Sequence, residues 1–95
     1  MYMGIDLGTS SVKLLLMEKD GTIIKTLTKE YSISYPKATW AEQNPNEWWE
    51  VTKLGIKEVL ENTDKLSLKG ISFSGQMHGL VILNDNDEVI RPAIL

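Results

Sequence analysis

Tyr2-Met3-Gly4-Ile5-Asp6-Leu7, then Gly8-Thr9-Ser10-Ser11, then Val12-Lys13-Leu14-Leu15-Leu16-Met17 is the stretch that decides how this chain folds. The residues up to Leu7 read as a short strand that breaks into a polar turn. Val12, Leu14 and Leu16 then alternate with Lys13, Leu15 and Met17, so both faces of the next strand are largely apolar, as in a covered sheet. Asp20-Gly21 is a tight-turn dipeptide, and Thr22 to Thr28 returns as a third strand carrying Ile23, Ile24 and Leu27. The opening is therefore an antiparallel three-strand meander whose first turn is rich in hydroxyls.

Outward from the meander, residues 31 to 44 read as irregular, with Pro36 among aromatic and polar residues. Asn44-Pro45-Asn46-Glu47 has the form of a helix start: Asn44 caps, Pro45 suits the first turn, and Glu47 sits three residues after the cap. On a helical wheel Trp48, Trp49, Val51, Ile56, Val59 and Leu60 share one arc, which predicts an amphipathic helix laid on a sheet with the tryptophan pair in its core. Leu54 falls outside that arc, and Asn62-Thr63-Asp64 marks the end. Gly70 to Ser74 reads as a fourth strand entering the loop Gly75 to Gly79. Leu80 to Leu83 and Glu88 to Ile90 read as a closing hairpin. Its turn, Asn84-Asp85-Asn86-Asp87, lacks the alternating ligands and mid-loop glycine of a calcium loop. The expected class is α/β: a mixed sheet opened by the meander, then helix, strand and hairpin. One helix cannot cover both faces of such a sheet, so the sequence predicts an incomplete domain whose missing layer comes from residues beyond Leu95.

Composition narrows the functional classes. The 95 residues are 42% hydrophobic and 24% charged, an ordinary globular balance. A net charge of -3 with scattered basic residues argues against a nucleic-acid partner. The absence of cysteine excludes disulfides, thiolate zinc sites and a catalytic thiol. The N-terminus has no basic region before Asp6 and so is no signal peptide, and no apolar run approaches the roughly 20 residues a bilayer span needs. No membrane partner and a cytoplasmic location are expected.

Two polar segments carry chemistry. In Asp6-Leu7-Gly8-Thr9-Ser10-Ser11, Gly8 lets a ligand approach the main chain. The hydroxyls of Thr9, Ser10 and Ser11 stand beside successive N–H groups, a pattern that makes anion-binding concavities. A carboxylate next to a phosphate is normally unfavourable, but Asp6 makes sense there if Mg²⁺ lies between them. Lys13 would add a point charge toward the phosphates. The same residues also suit a plain hairpin turn with a solvated aspartate, and the turn is no Walker loop, since it joins two strands. In Ser74-Gly75-Gln76-Met77-His78-Gly79, two glycines free the backbone, while Gln76 and His78 offer directional donors and acceptors suited to a polyhydroxylated ligand. Met77 offers an adaptable apolar wall. A loop whose only histidine is a solvated side chain is the plainer alternative.

Gly4 to Lys13 resembles the first phosphate loop of the actin, Hsp70 and sugar-kinase superfamily, and within it the carbohydrate kinases that include glycerol kinase, gluconokinase and xylulokinase. Gly75-Gln76-Met77-His78-Gly79 resembles the substrate loop of xylulokinases, where glycerol kinases carry an Arg-Glu pair. Trp40-Ala41-Glu42-Gln43-Asn44-Pro45 with Trp48-Trp49, and Arg91 to Leu95, also resemble the family, so the likeness spans residues 1–95 in one register. It implies a ribonuclease H-like or actin-like fold, with this chain the N-terminal part of the first such domain. It also implies ATP and Mg²⁺ as cofactors, D-xylulose as substrate, a metal contact at Asp6, and phosphate contacts at Gly8, Thr9, Ser10 and Ser11. Lys13 stands where glycerol kinases carry arginine, and sugar contacts fall to Gln76, Met77 and His78. By the same resemblance the general-base aspartate and the adenine pocket belong further along the full-length protein, so the isolated chain is expected to be inactive. A homodimeric full-length protein stays open, as do a sugar kinase acting on another polyol or sugar and a non-catalytic actin-like nucleotide-binding module.

Overall fold

Side-chain alternation in the first two strands assigns every residue of the meander to one face or the other. In the computed structural model, which describes residues 1–95, β1 (Tyr2–Leu7) pairs antiparallel with β2 (Ser11–Met17) in the register Met3 with Leu16, Ile5 with Leu14 and Leu7 with Val12. Met3, Ile5, Val12, Leu14 and Leu16 therefore share one face, and none is more than 3% exposed. β3 (Ile23–Glu30) extends the sheet beyond β2, with Leu27 opposite Leu14 and an irregularity between Leu16 and Met17. The connecting turn uses the expected dipeptide: Gly21 has φ +92°, and Asp20 Oδ1 accepts from Thr22 N at 3.0 Å. Hydrogen bonds from Thr22 hold the Asp20 carboxyl below the usual carboxylate range.

After β4 (Glu42–Gln43), α1 (Pro45–Val59) lies across this apolar face. Asn44 caps it as predicted, its side chain accepting from Asn46 N at 2.9 Å. Thr52, Gly55 and Val59 are its buried residues. Gly55 lets the helix approach closely: a Cβ there would lie 2.7 Å from Leu14 Cδ1, which would have to shift. The C-terminal turn is fastened to β3, where Lys29 pairs with Glu58 at 2.5 Å and Lys25 Nζ donates to the Glu58 carbonyl at 3.1 Å. Both lysines are on the helix-facing side of β3 and run their stems along apolar surface to reach it. A 3₁₀ turn, Lys65–Ser67, then leads into β5 (Gly70–Gly75), which pairs parallel with β1. The main sheet has the order β3-β2-β1-β5, and β6 (Ala93–Ile94) pairs with β4 in a separate two-stranded sheet.

Several expectations need correction. Leu80–Leu83 and Glu88–Ile90 are not strands: they meet at a single bridge, Leu83 with Val89, and through Asn84 N to Glu88 O and Ile90 N to Ile82 O. Their side chains are almost all exposed, so no packed face stabilises a longer ladder. Leu80 is drawn instead to Ile94, and Ala93 is fully buried beside Gln43. The stretch read as irregular thus contains β4. Trp49 is 59% exposed rather than in the core, because α1 leans over β2 and β3 and leaves a cleft of about 250 Å³ toward Phe73 of β5. Lys53 Nζ sits 5.3 Å from its ring centroid. β2 is covered on one face only. The other face, with Gly4, Asp6, Lys13, Thr28, Ser72 and Ser74, opens on a cleft of about 560 Å³.

Candidate functional site

Parallel pairing makes neighbours of the two polar segments. Leu7 and Gly75 are register partners at the carboxyl ends of β1 and β5, so the Gly8–Ser11 turn and the Gly75–Gly79 loop leave the same edge of the sheet. Ligands of open α/β sheets bind at such edges. Gln76 N donates to Leu7 O at 2.8 Å, and a Cβ on Gly75 would lie 3.2 Å from that same carbonyl, which is why glycine stands there.

The turn is closed by Gly8 N donating to Ser11 O at 2.9 Å. Thr9 and Ser10 are exposed. Their N–H groups, and the hydroxyls of Thr9, Ser10 and Ser11, take no partner within the chain, although the carbonyls of the same turn are all engaged. An array of open donors on an anchored backbone suits an anion. The anchor is a residue the sequence did not flag. Tyr31 is buried, its N donates to Ser10 O at 3.1 Å, and its hydroxyl is shared between Gly8 O and Ser11 O. Burial, and then the charge of Asp6, raise its phenol above the ordinary value of 10.0. A raised folded value means that the phenol's support is complete below pH 10.0 and is lost as pH rises through the folded value. Tyr31→Phe should speed exchange of the Gly8 amide about tenfold, as two carbonyls lose their donor. It should also remove the most alkaline step from the tyrosinate absorbance titration.

Asp6 is exposed on the open face, flanked in register by Lys13 on β2 and Ser74 on β5. Ser74 Oγ donates to Asp6 Oδ1 at 2.8 Å, which turns the carboxylate without consuming Oδ2. Lys13 forms no ion pair with it. No three His, Cys, Asp or Glu side chains converge anywhere in the chain. A divalent ion at Asp6 would find Oδ2 open and would take the rest of its shell from water and phosphate oxygens, the preference of magnesium.

On the second loop Gln76 is half-buried, whereas Met77 is 76% exposed and His78 is exposed with φ +68°. That left-handed backbone is uncommon outside glycine, and histidine is among the residues that adopt it more readily. Neither side chain hydrogen-bonds within the chain. The structure thus unites Asp6, the Gly8–Ser11 turn and Gln76 at one edge, with Met77 and His78 extending beyond it. The turn at Asn84 is self-satisfied: its Oδ1 accepts from Asn86 N and Glu88 N at 2.9 and 3.0 Å.

Residues 1–95 match the FGGY family of carbohydrate kinases, N-terminal domain. The xylulose kinase of Staphylococcus epidermidis is 48% identical over 98 residues, covering all of this chain and 20% of that protein. The xylulose kinase of Escherichia coli K12 is 39% identical over 95 residues, again all of this chain and 20% of that protein. Among solved structures, a "xyloylose kinase" from Brucella ovis superposes with a TM-score of 0.93 at 38% identity, over 99% of this chain and 20% of that one. The chain spans about a fifth of the length of these relatives.

Proposed function

This chain belongs to the FGGY family of carbohydrate kinases, and on that premise we propose that it is the N-terminal part of the first actin-like domain of an ATP-dependent xylulose kinase. The observation that carries the reading is the shared edge: a turn of unfilled donors beside a lone carboxylate, and next to it a loop of directional polar groups. The first suits the phosphates of Mg-ATP and the second a sugar. In the proposed reaction the 5-hydroxyl oxygen of D-xylulose bonds to the γ-phosphorus. The bond from that phosphorus to the bridging oxygen breaks and ADP leaves, while the hydroxyl proton goes to a base on another part of the full-length protein.

The chain's own contribution is positioning and charge placement, the larger part of catalysis in this reaction class. Thr9 and Ser10 N–H groups and the three hydroxyls would orient the phosphates. Asp6 would hold Mg²⁺, whose chemistry is to neutralise charge on the phosphate oxygens. Gln76, Met77 and His78 would seat the sugar. No helix is long and apolar enough to cross a membrane, and a cytoplasmic setting is part of the same proposal.

His78→Ala in the full-length protein tests the sugar half. Loss of a hydrogen bond to one hydroxyl should raise the KM for D-xylulose about tenfold and leave that for ATP unchanged. An unchanged xylulose KM would remove His78 from the site, and absence of turnover with xylulose in the unmutated protein would overturn the reading itself.

A further inference from the structure

The segment Trp40 to Pro45 has no role in the reaction as described so far, yet it supplies the most connected buried polar group in the chain. Gln43 is 2% exposed. Its Nε2 donates to Thr9 O at 2.5 Å, and its Oε1 accepts from Trp48 Nε1 at 3.1 Å and from Gln76 Nε2 at 3.2 Å. From these contacts we infer that Gln43 is a positioning residue that couples the phosphate turn to the sugar loop through one amide. The inference rests on the function proposed above for those two loops.

The orientation of this amide is forced by its neighbours. An indole N–H only donates and a backbone carbonyl only accepts, so Oε1 must face Trp48 and Nε2 must face Thr9. Gln76 then has to present its own NH₂ to Gln43 Oε1, which leaves the Gln76 carbonyl oxygen as the group offered to a ligand. A sugar hydroxyl meeting Gln76 would therefore donate to it. At the other end, a held Thr9 carbonyl fixes the peptide plane whose N–H belongs to Ser10, one of the unfilled donors of the phosphate turn. One buried amide thus sets a donor toward the nucleotide and an acceptor toward the sugar. Its own place is fixed by main-chain pairing of β4 with β6, Gln43 against Ala93.

Two substitutions in the full-length protein separate this from a general packing role. Gln43→Leu removes both halves of the link: amide exchange should rise about tenfold at Gly8 and at Gln76 together, the hydrogen-bonded amides of the two loops, and the KM values for ATP and D-xylulose should both rise. Gln43→Glu has the same shape and keeps an oxygen for Trp48 and Gln76, but sets a second acceptor against Thr9 O. It should speed exchange of the Gly8 amide and raise the KM for ATP while sparing the Gln76 amide and the KM for xylulose. Should Gln43→Leu fail to fold, that asymmetry alone decides. Unchanged exchange in either loop of the leucine variant, or equal damage to both loops in the glutamate variant, overturns the coupling role. The exchange readout needs no substrate, so a protein that failed to phosphorylate xylulose would defeat the functional proposal without deciding this one.

Discussion

Asp6→Asn should lower kcat/KM for the proposed phosphoryl transfer in the full-length protein by at least about a hundredfold, the scale seen when one preorganised electrostatic group is removed from a charge-stabilising site. The substitution is nearly isosteric. Asn still offers an oxygen to Ser74 Oγ, so the 2.8 Å bond that orients the side chain is retained and the sheet is not disturbed. What disappears is the negative charge, and no cluster of three His, Cys, Asp or Glu side chains stands there to replace it. Lys13, its cross-strand partner, would then stand beside the ion with no carboxylate between. Steady-state kinetics over a range of Mg²⁺ concentrations should show the loss concentrated at low metal, with an unchanged melting temperature. The Tyr31 phenol gives an independent check: Asp6 is one of the two causes raising its pKa, so the variant should titrate lower. A kcat/KM within threefold of the unmutated protein would defeat the metal role proposed for Asp6.

The meander was legible because its signals are local. Alternation over residues 12–17 and the Asp20-Gly21 turn report directly on β2 and its return, and Asn44-Pro45 reports on the first turn of α1. The closing segment was misread because the same logic was applied where tertiary context decides. Leu80 to Leu83 looks like a strand, but a strand needs a partner with a face to bury, and Leu80 finds only a single bridge, to Ile94. Trp49 failed for a related reason. A helical wheel gives the direction of a side chain around the axis, not where the sheet beneath the helix stops.

Of the site, the polar loops were readable and their supports were not. Gly8, Thr9 and Ser10 stand out by composition as a polar turn, a pattern that suits an anion and a plain hairpin alike. Tyr31 and Gln43 reach the turn from 20 or more residues away, through contacts to main-chain carbonyls that leave no pattern in the sequence. The one signal for Gln43 was a segment resembling the carbohydrate kinases to which no role could be given. That parallel pairing would put Leu7 beside Gly75, and so join two half-sites, is likewise a property of topology rather than of either motif.

The helix–sheet contact at Leu14 gives the largest expected effect on stability, and its sign can be reversed. Leu14 is 1% exposed at the centre of the core, opposite Ile5 and Leu27 in register. Leu14→Ala should cost about 2–5 kcal/mol, from lost transfer energy and the cavity left behind. Against a domain stability of about 5–15 kcal/mol, that is enough to populate open states of the whole sheet. Gly55→Ala alone sets two terms in opposition. Helix propensity favours alanine by about 1 kcal/mol, whereas overpacking costs about 1–3 kcal/mol. The new Cβ would stand 2.7 Å from Leu14 Cδ1, with Cδ2 and Cγ at 3.4 and 3.7 Å, so the buried Leu14 side chain must leave its rotamer and the variant should be destabilised. In the Leu14→Ala background that opponent is gone. Gly55→Ala should then stabilise, by its propensity and by filling part of the cavity, with a coupling of about 1–3 kcal/mol between the two sites. Hydrogen exchange of the β2 and α1 amides reads these differences in this chain or in a longer polypeptide that carries it. Additive effects of the two substitutions would show that α1 shifts outward to accept the methyl group instead of pressing on Leu14.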